Sequence, residues 1–193
     1  MPRTPEQFEK IREKMRKQIM NAALELFANE GYYTTSISKI AKAAGISKGL
    51  MYNYFDSKEE LVMSLLKEGL NKLAELFDPN KDGVLTRDEF AFFVEKSFDA
   101  VIENPTYWRL YFSIMMQVGI YDMVKEMYAS ILKDTMQLLV DYYQKRGVKD
   151  PLGEALLFGA VMDGITMNYL LNPEMFPLEE FKQKVIDKFG YKN

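Results

Sequence analysis

The stretch DPNKDGVLTRDE, residues 78–89, places oxygen donors at regular intervals along a short chain. Counting Asp78 as position 1, carboxylate or amide oxygens fall at positions 3 (Asn80), 5 (Asp82) and 12 (Glu89). The Val84 carbonyl falls at position 7, and Thr86, acting through its hydroxyl or a bridging water, at position 9. Calcium takes six to eight hard oxygens, and so short a segment supplies them only by wrapping tightly. Gly83 at position 6 permits the bend, and Glu89 at the head of the next helix closes the set with both oxygens. The spacing predicts bound calcium and no organic cofactor.

A second constellation holds no reactive group but many hydrogen-bonding ones. Lys48, Gly49, Tyr52, Asn53 and Tyr54 lie together in SKGLMYNYF, with Thr34, Thr35 and Ser36 before them and Lys58 after. Ammonium, phenol, amide and hydroxyl groups bond phosphate oxygens and base edges. The N–H groups of a helix starting near Thr34, Thr35 and Ser36 add fixed positive ends, and Gly49 lets a backbone approach closely. The chemistry is recognition of double-stranded DNA.

A third set is soft and apolar. Trp108, Tyr111, Phe112, Met115, Met127 and Met162, with Asp163 as the lone charge, suit a pocket for a bulky or flat small-molecule effector. At helical spacing, the same residues equally suit core and subunit interface.

Other chemistries are poorly served. The 193 residues contain no His and no Cys, which removes the commonest general base, the commonest zinc ligands, disulfides and a thiolate nucleophile. With no phosphate-cradling Gly loop or paired acid–base site either, an enzyme is not expected. The net charge of −3 is unevenly spread: residues 1–58 carry ten Lys and Arg against six Asp and Glu, the remainder fifteen against twenty-two. The basic end coincides with the DNA-facing residues. There is no signal-like N-terminus, and LLFGAVMDGITMNYLL is short for a membrane span and interrupted by Asp163. A cytoplasmic protein without a membrane partner is expected.

The elements that must position these groups are helices, and no strand pattern is evident. Residues 19–30, 37–44 and 48–55 read as three short helices, the second and third turning at Gly45, with Ala41 and Ala44 small enough for a close crossing. Asp56 or Ser57 caps a longer helix from Lys58 to about Phe77. Helices at about 90–102, 106–116, 119–146, 151–171 and 178–189 follow, punctuated by Pro105, Gly147, Pro151, Pro173 and Pro177. The fold class is all-α, with a three-helix helix-turn-helix domain at 1–60 and a helical regulatory domain at 61–193.

IMNAALELFANEGY followed by TTSISKIAKAAGISKGLMYNYFDSKEELV closely resembles the signature of the TetR family of transcriptional regulators. The resemblance implies a homodimer held by the helices at about 152–171 and 178–189, a pseudo-palindromic operator, and repression released by an effector. By motif position it places Thr35, Lys48, Gly49, Tyr52, Tyr54 and Lys58 on DNA. Residues 76–90 resemble EF-hand proteins, without a second hand to pair with. An alternative expectation is therefore a calcium-responsive DNA-binding regulator with the 78–89 loop as effector site.

Overall fold

The computed structural model describes residues 4–117 and 119–190, and every regular element in them is helical. The order is α1 (Pro5–Glu30), α2 (Ile37–Ala43), α3 (Lys48–Met51), α4 (Lys58–Ala74), α5 (Arg87–Glu103), α6 (Pro105–Met115), α7 (Ile120–Lys145), α8 (Pro151–Leu171) and α9 (Leu178–Phe189). The all-α expectation holds, and no helix among the described residues is long and apolar enough to cross a membrane.

The starts of these helices are written in their caps. The hydroxyls of Ser36, Ser47 and Ser57 accept from the backbone N–H groups of Lys39, Leu50 and Glu60, which opens α2, α3 and α4. Ser57 is the cap of α4, while the Asp56 N–H donates to Glu60 Oε2. α1 begins fourteen residues earlier than its apolar periodicity suggests, because Thr4, Pro5 and Gln7 form a capping box with Pro at the first turn. Its first three turns are exposed, so no apolar stripe announces them.

α4 stops at Ala74 rather than Phe77. The N–H groups of Leu76 and Phe77 tighten to i−3 acceptors, Leu73 and Ala74, and the Phe77 ring packs 3.6 Å from that of Phe93. Tertiary packing of that ring outweighs one further α-helical turn.

Two apolar cores result. The first joins α1, α2, α3, α4, α6 and the start of α7, with Ile19, Phe27, Ile40, Met51, Phe55 and Leu61 fully enclosed. The second joins α5, the end of α7, α8 and α9 around Phe90, Phe98, Tyr142, Phe158 and Phe189. Each fully buried Phe or Leu is worth about 1.5–3 kcal/mol. The first core runs across residue 60: Leu65, Leu66, Trp108 and Ile114 belong to the same cluster as Phe27 and Ile40.

Candidate functional site

The N-terminal interface is built on buried anchors. After α2, the N–H groups of Ala44, Gly45 and Ile46 donate to the carbonyls of Ile40, Lys42 and Ala41, and Gly45 sits at φ +67°, where a side chain is strained. The Gln18 amide on α1 holds the Ala44 carbonyl at 2.8 Å, fixing the turn from behind. Met51 and Phe55 then plunge into the first core. Residues between and before them are turned outward by helical geometry: Lys48, Gly49, Tyr52 and Asn53 are exposed, and Tyr54 is half-buried. A Cβ on Gly49 would meet nothing within 4 Å, so the protein itself places no demand for glycine there. The absence of a side chain leaves room for something outside the chain.

The neighbouring residues divide differently from expectation. Thr34 is exposed, but its hydroxyl donates back to the Glu30 and Gly31 carbonyls, closing the end of α1. Ser36 is exposed and caps α2. Thr35 does not face a duplex: it is fully buried and donates to the Gly31 carbonyl at 2.8 Å. Lys58 donates to the carbonyls of Tyr32 and Thr35 at 2.8 and 3.0 Å and lies 4.3 Å from the centre of the Tyr32 ring. It ties α4 to the end of α1 and presents a half-buried ammonium. The Tyr32 hydroxyl in turn donates to Glu59 Oε1 at 3.0 Å. A backbone N–H and that phenol hold the Glu59 carboxyl below its usual range.

Arg16 escaped the sequence reading. Its guanidinium donates to Ser64 Oγ at 3.1 Å and lies 4.7 Å from the Phe55 ring centre, pinning α4 and the end of the recognition segment to α1. The only signal was its position one helical turn before Met20.

The 78–89 loop folds as a tight turn but not as the expected calcium site. Asp78 accepts from the N–H groups of Asp82 and Gly83, Asp82 accepts from Val84, and Lys81 and Gly83 take positive φ. Glu89 and Thr86 form a capping box that starts α5, with Glu89 Oε2 accepting from the Thr86 N–H and hydroxyl. The Asn80 amide hydrogens bridge Asp82 Oδ2 and Glu89 Oε1 at 3.2 and 2.9 Å. The Asn80 amide group thus stands between two of the carboxylates that an ion would need. Among the described residues, no group of three or more acidic side chains converges to hold a metal. Asp78, Asn80, Asp82, Val84, Thr86 and Glu89 serve the chain reversal, and Leu85 is buried in the second core beneath them.

The aromatic set packs largely on itself. Tyr111 donates to the Tyr128 hydroxyl at 3.1 Å, and its ring meets Trp108 and Phe112 edge-on. Phe112, Met115 and Met127 lean on the first core and Met162 on the second. Asp163 keeps a solvent-facing edge, yet its apolar surroundings push its carboxyl up. Of the seven residues expected to form a pocket, Trp108 alone lines the cavity found here, about 530 Å³ in volume and bounded by α1, α4, α5 and α6.

Comparison with known proteins bears on this arrangement. Residues 19–65 match the family model of bacterial regulatory proteins of the tetR family. The fatty acid metabolism regulator protein of Bacillus subtilis (strain 168) is 25% identical over 182 residues, 88% of this chain and 91% of that protein. Residues 19–65 are thus of the tetR type. The regulator's similarity to HbdR of Aromatoleum sp. (strain CIB), 45% identity, is confined to 62 residues, 32% of this chain and 27% of that one. FadR from Bacillus subtilis, solved in complex with stearoyl-CoA, superposes with a TM-score of 0.76 at 23% identity over 91% of this chain and 99% of that one. NalD, the secondary repressor of the MexAB-OprM efflux pump in Pseudomonas aeruginosa, gives 0.70 at 19% over 92% and 95%. These superpositions establish the helical fold of the regulator beyond the family match. It is a DNA-binding transcriptional regulator, not an enzyme.

Proposed function

We propose that the regulator works in the cytoplasm as a homodimer that represses by occupying a pseudo-palindromic operator and leaves it when a long-chain fatty acyl group, free or as its coenzyme A thioester, binds. The observation that carries the DNA reading is the outward face of Lys48, Gly49, Tyr52 and Asn53 above the buried anchors Met51 and Phe55. A short helix so mounted enters a major groove, with Lys48 and Tyr52 on phosphates and Asn53 on a base edge. The likeness to the Bacillus subtilis regulator of fatty acid metabolism supports the acyl class.

The dimer reading is supported by α8, which is apolar on all sides. Leu152, Leu156, Leu157, Met167 and Leu171 stay exposed on the single chain, and Gly159 and Gly164 leave open space where a Cβ would sit. A helix of that kind belongs at an interface. Calcium has no part in this proposal, because the loop's oxygens already serve its own N–H groups and the Asn80 amide.

Footprinting upstream of the chain's own gene, followed by anisotropy on the protected fragment with and without hexadecanoyl-CoA, tests the whole reading. The expected result is symmetric protection of two half-sites about one helical turn apart, or a multiple of it, lost on adding the thioester. Protection unaffected by the thioester would remove the acyl class, and no protection would remove the repressor. Leu156→Glu is expected to yield a monomer by light scattering that no longer protects both half-sites.

A further inference from the structure

We infer that the first three turns of α1 are a second DNA-contacting element, which seats Phe8, Ile11 and Arg12 in the minor groove flanking each half-site. The inference rests on the DNA reading above and extends it beyond the recognition segment.

Two contacts with the helix-turn-helix fix the course of α1. The Thr35 hydroxyl lies 3.4 Å from the Leu26 carbonyl, and the Gln18 amide 2.8 Å from the Ala44 carbonyl. α1 therefore runs back along α2, and its residues before Gln18 pass beyond the turn at Gly45. From Gln18 back to Pro5 the helix advances about 20 Å, at about 1.5 Å per residue. That is the rise of about five or six base pairs, enough to leave a major groove and reach the minor groove half a helical turn away.

Helical phase decides which side chains arrive there. Lys17, Met20, Asn21 and Leu24 face the cavity walled by α4, α5 and α6. Gln18 and Arg16 touch the helix-turn-helix from its two flanks, at Ala44 and at the Phe55 ring. At about 100° per residue, the arc between those two, away from the cavity, holds Ile19 and Leu26 where α1 is covered. Where it is not covered, the same arc holds Phe8, Ile11 and Arg12. Phe8 is 57% and Ile11 42% exposed. Glu6, Glu9 and Glu13 fall on the side turned away. Lys10 is paired with Glu6 at 2.9 Å, whereas among the described residues Arg12 and Lys14 have no ionic partner.

The minor groove concentrates negative potential and draws in a guanidinium, and Phe and Ile are apolar groups that wedge against its base steps. A second copy of the chain would cover the apolar pair and leave Arg12 unanswered; a duplex answers both.

The test uses the full chain and two forms of the operator defined by footprinting, one with about ten flanking base pairs on each side and one trimmed at the half-site edges. Hydroxyl-radical cleavage, which reads the minor-groove sugars, should show protection about five base pairs outside each half-site. Trimming should weaken wild-type binding about tenfold and lower the salt slope by about 1 for each Arg12. Arg12→Ala and Phe8→Ser should bind the long fragment no better than the trimmed one and lose the outer protection. Both should melt with the wild type, because both positions are exposed. Equal wild-type affinity for the two fragments, or flank dependence kept in both variants, overturns the inference. Assemblies larger than a dimer that Phe8→Ser abolishes, without flank dependence, would give this face to a second copy and overturn it as well. Binding to neither fragment strikes the DNA reading itself, and this inference with it.

Discussion

Gly69 of α4 and Tyr107 of α6 fill one space: a Cβ on Gly69 would fall 2.1 Å from Tyr107 Cζ. Alanine improves helix propensity by about 1 kcal/mol, but overpacking costs about 1–3 kcal/mol and displacing the Tyr107 hydroxyl from the Leu66 carbonyl about 1 kcal/mol more. Gly69→Ala is therefore expected to lower the urea midpoint. Tyr107→Leu in the same chain should restore part of the loss, so that the double-mutant cycle shows coupling. Strict additivity would mean the two residues do not compete.

Gly49 offers the opposite case. Among the described residues, its own helix and chain neighbours aside, nothing lies within 4 Å of its missing Cβ, so Gly49→Leu should leave the melting temperature unchanged or raised. Operator affinity should fall by tenfold or more if the vacancy receives a DNA backbone. Lys48→Ala should weaken binding to all sequences and reduce the salt slope by about 1. Anisotropy across a salt series reads both.

Thr35→Val separates fold from interface. Removing the buried hydroxyl takes from the Gly31 carbonyl the shorter of its two donors and leaves the Thr34 hydroxyl at 3.1 Å, at a cost of about 0.5–1.5 kcal/mol in stability. The salt slope of operator binding should not change, because Thr35 touches no phosphate. A slope reduced by one unit would return Thr35 to the DNA face.

Asp163 sets a pH dependence. Apolar surroundings raise its folded-state pKa, so the folded chain holds this proton more tightly than the unfolded one. Its unfavourable contribution is absent below the unfolded pKa, grows as pH rises from there to the folded value, and is constant above that. Asp163→Asn should accordingly stabilise at neutral pH and lose that advantage in acid. Denaturation midpoints for both proteins from pH 3 to pH 8 measure it, and a parallel offset across the range would refute the assignment.

Calcium gives a fifth check. Operator affinity in excess chelator and in millimolar calcium, at equal ionic strength, should agree. A large difference would mean that Asn80 rotates its amide away and frees Asp82 and Glu89 for an ion.

What the sequence made legible was local. Ser36, Ser47 and Ser57 mark helix starts because a cap needs only its own next turn, and Gly45 marks the turn because only backbone sterics are involved. The outward set Lys48, Tyr52 and Asn53 followed from helical periodicity. What was missed depends on partners far along the chain. Thr35 is buried by the end of α1, Lys58 is engaged by carbonyls more than twenty residues away, and α4 yields three residues to the Phe77–Phe93 contact. The cavity draws on four helices, so composition, which located a soft region in α6–α8, shares only Trp108 with it. The calcium pattern fixed the bend correctly but could not fix which way the Asn80 amide points.

α1 takes part in two tasks at once: its end packs under the recognition segment, and its middle walls the cavity through Lys17, Met20, Asn21 and Leu24. The recognition unit is consequently not an interchangeable head. A chimera that grafts another regulator's first sixty residues onto this body would import a foreign wall to that cavity along with a new reading face. Retaining those four positions during the graft should let the reader of DNA change while the packing around the cavity stays the same.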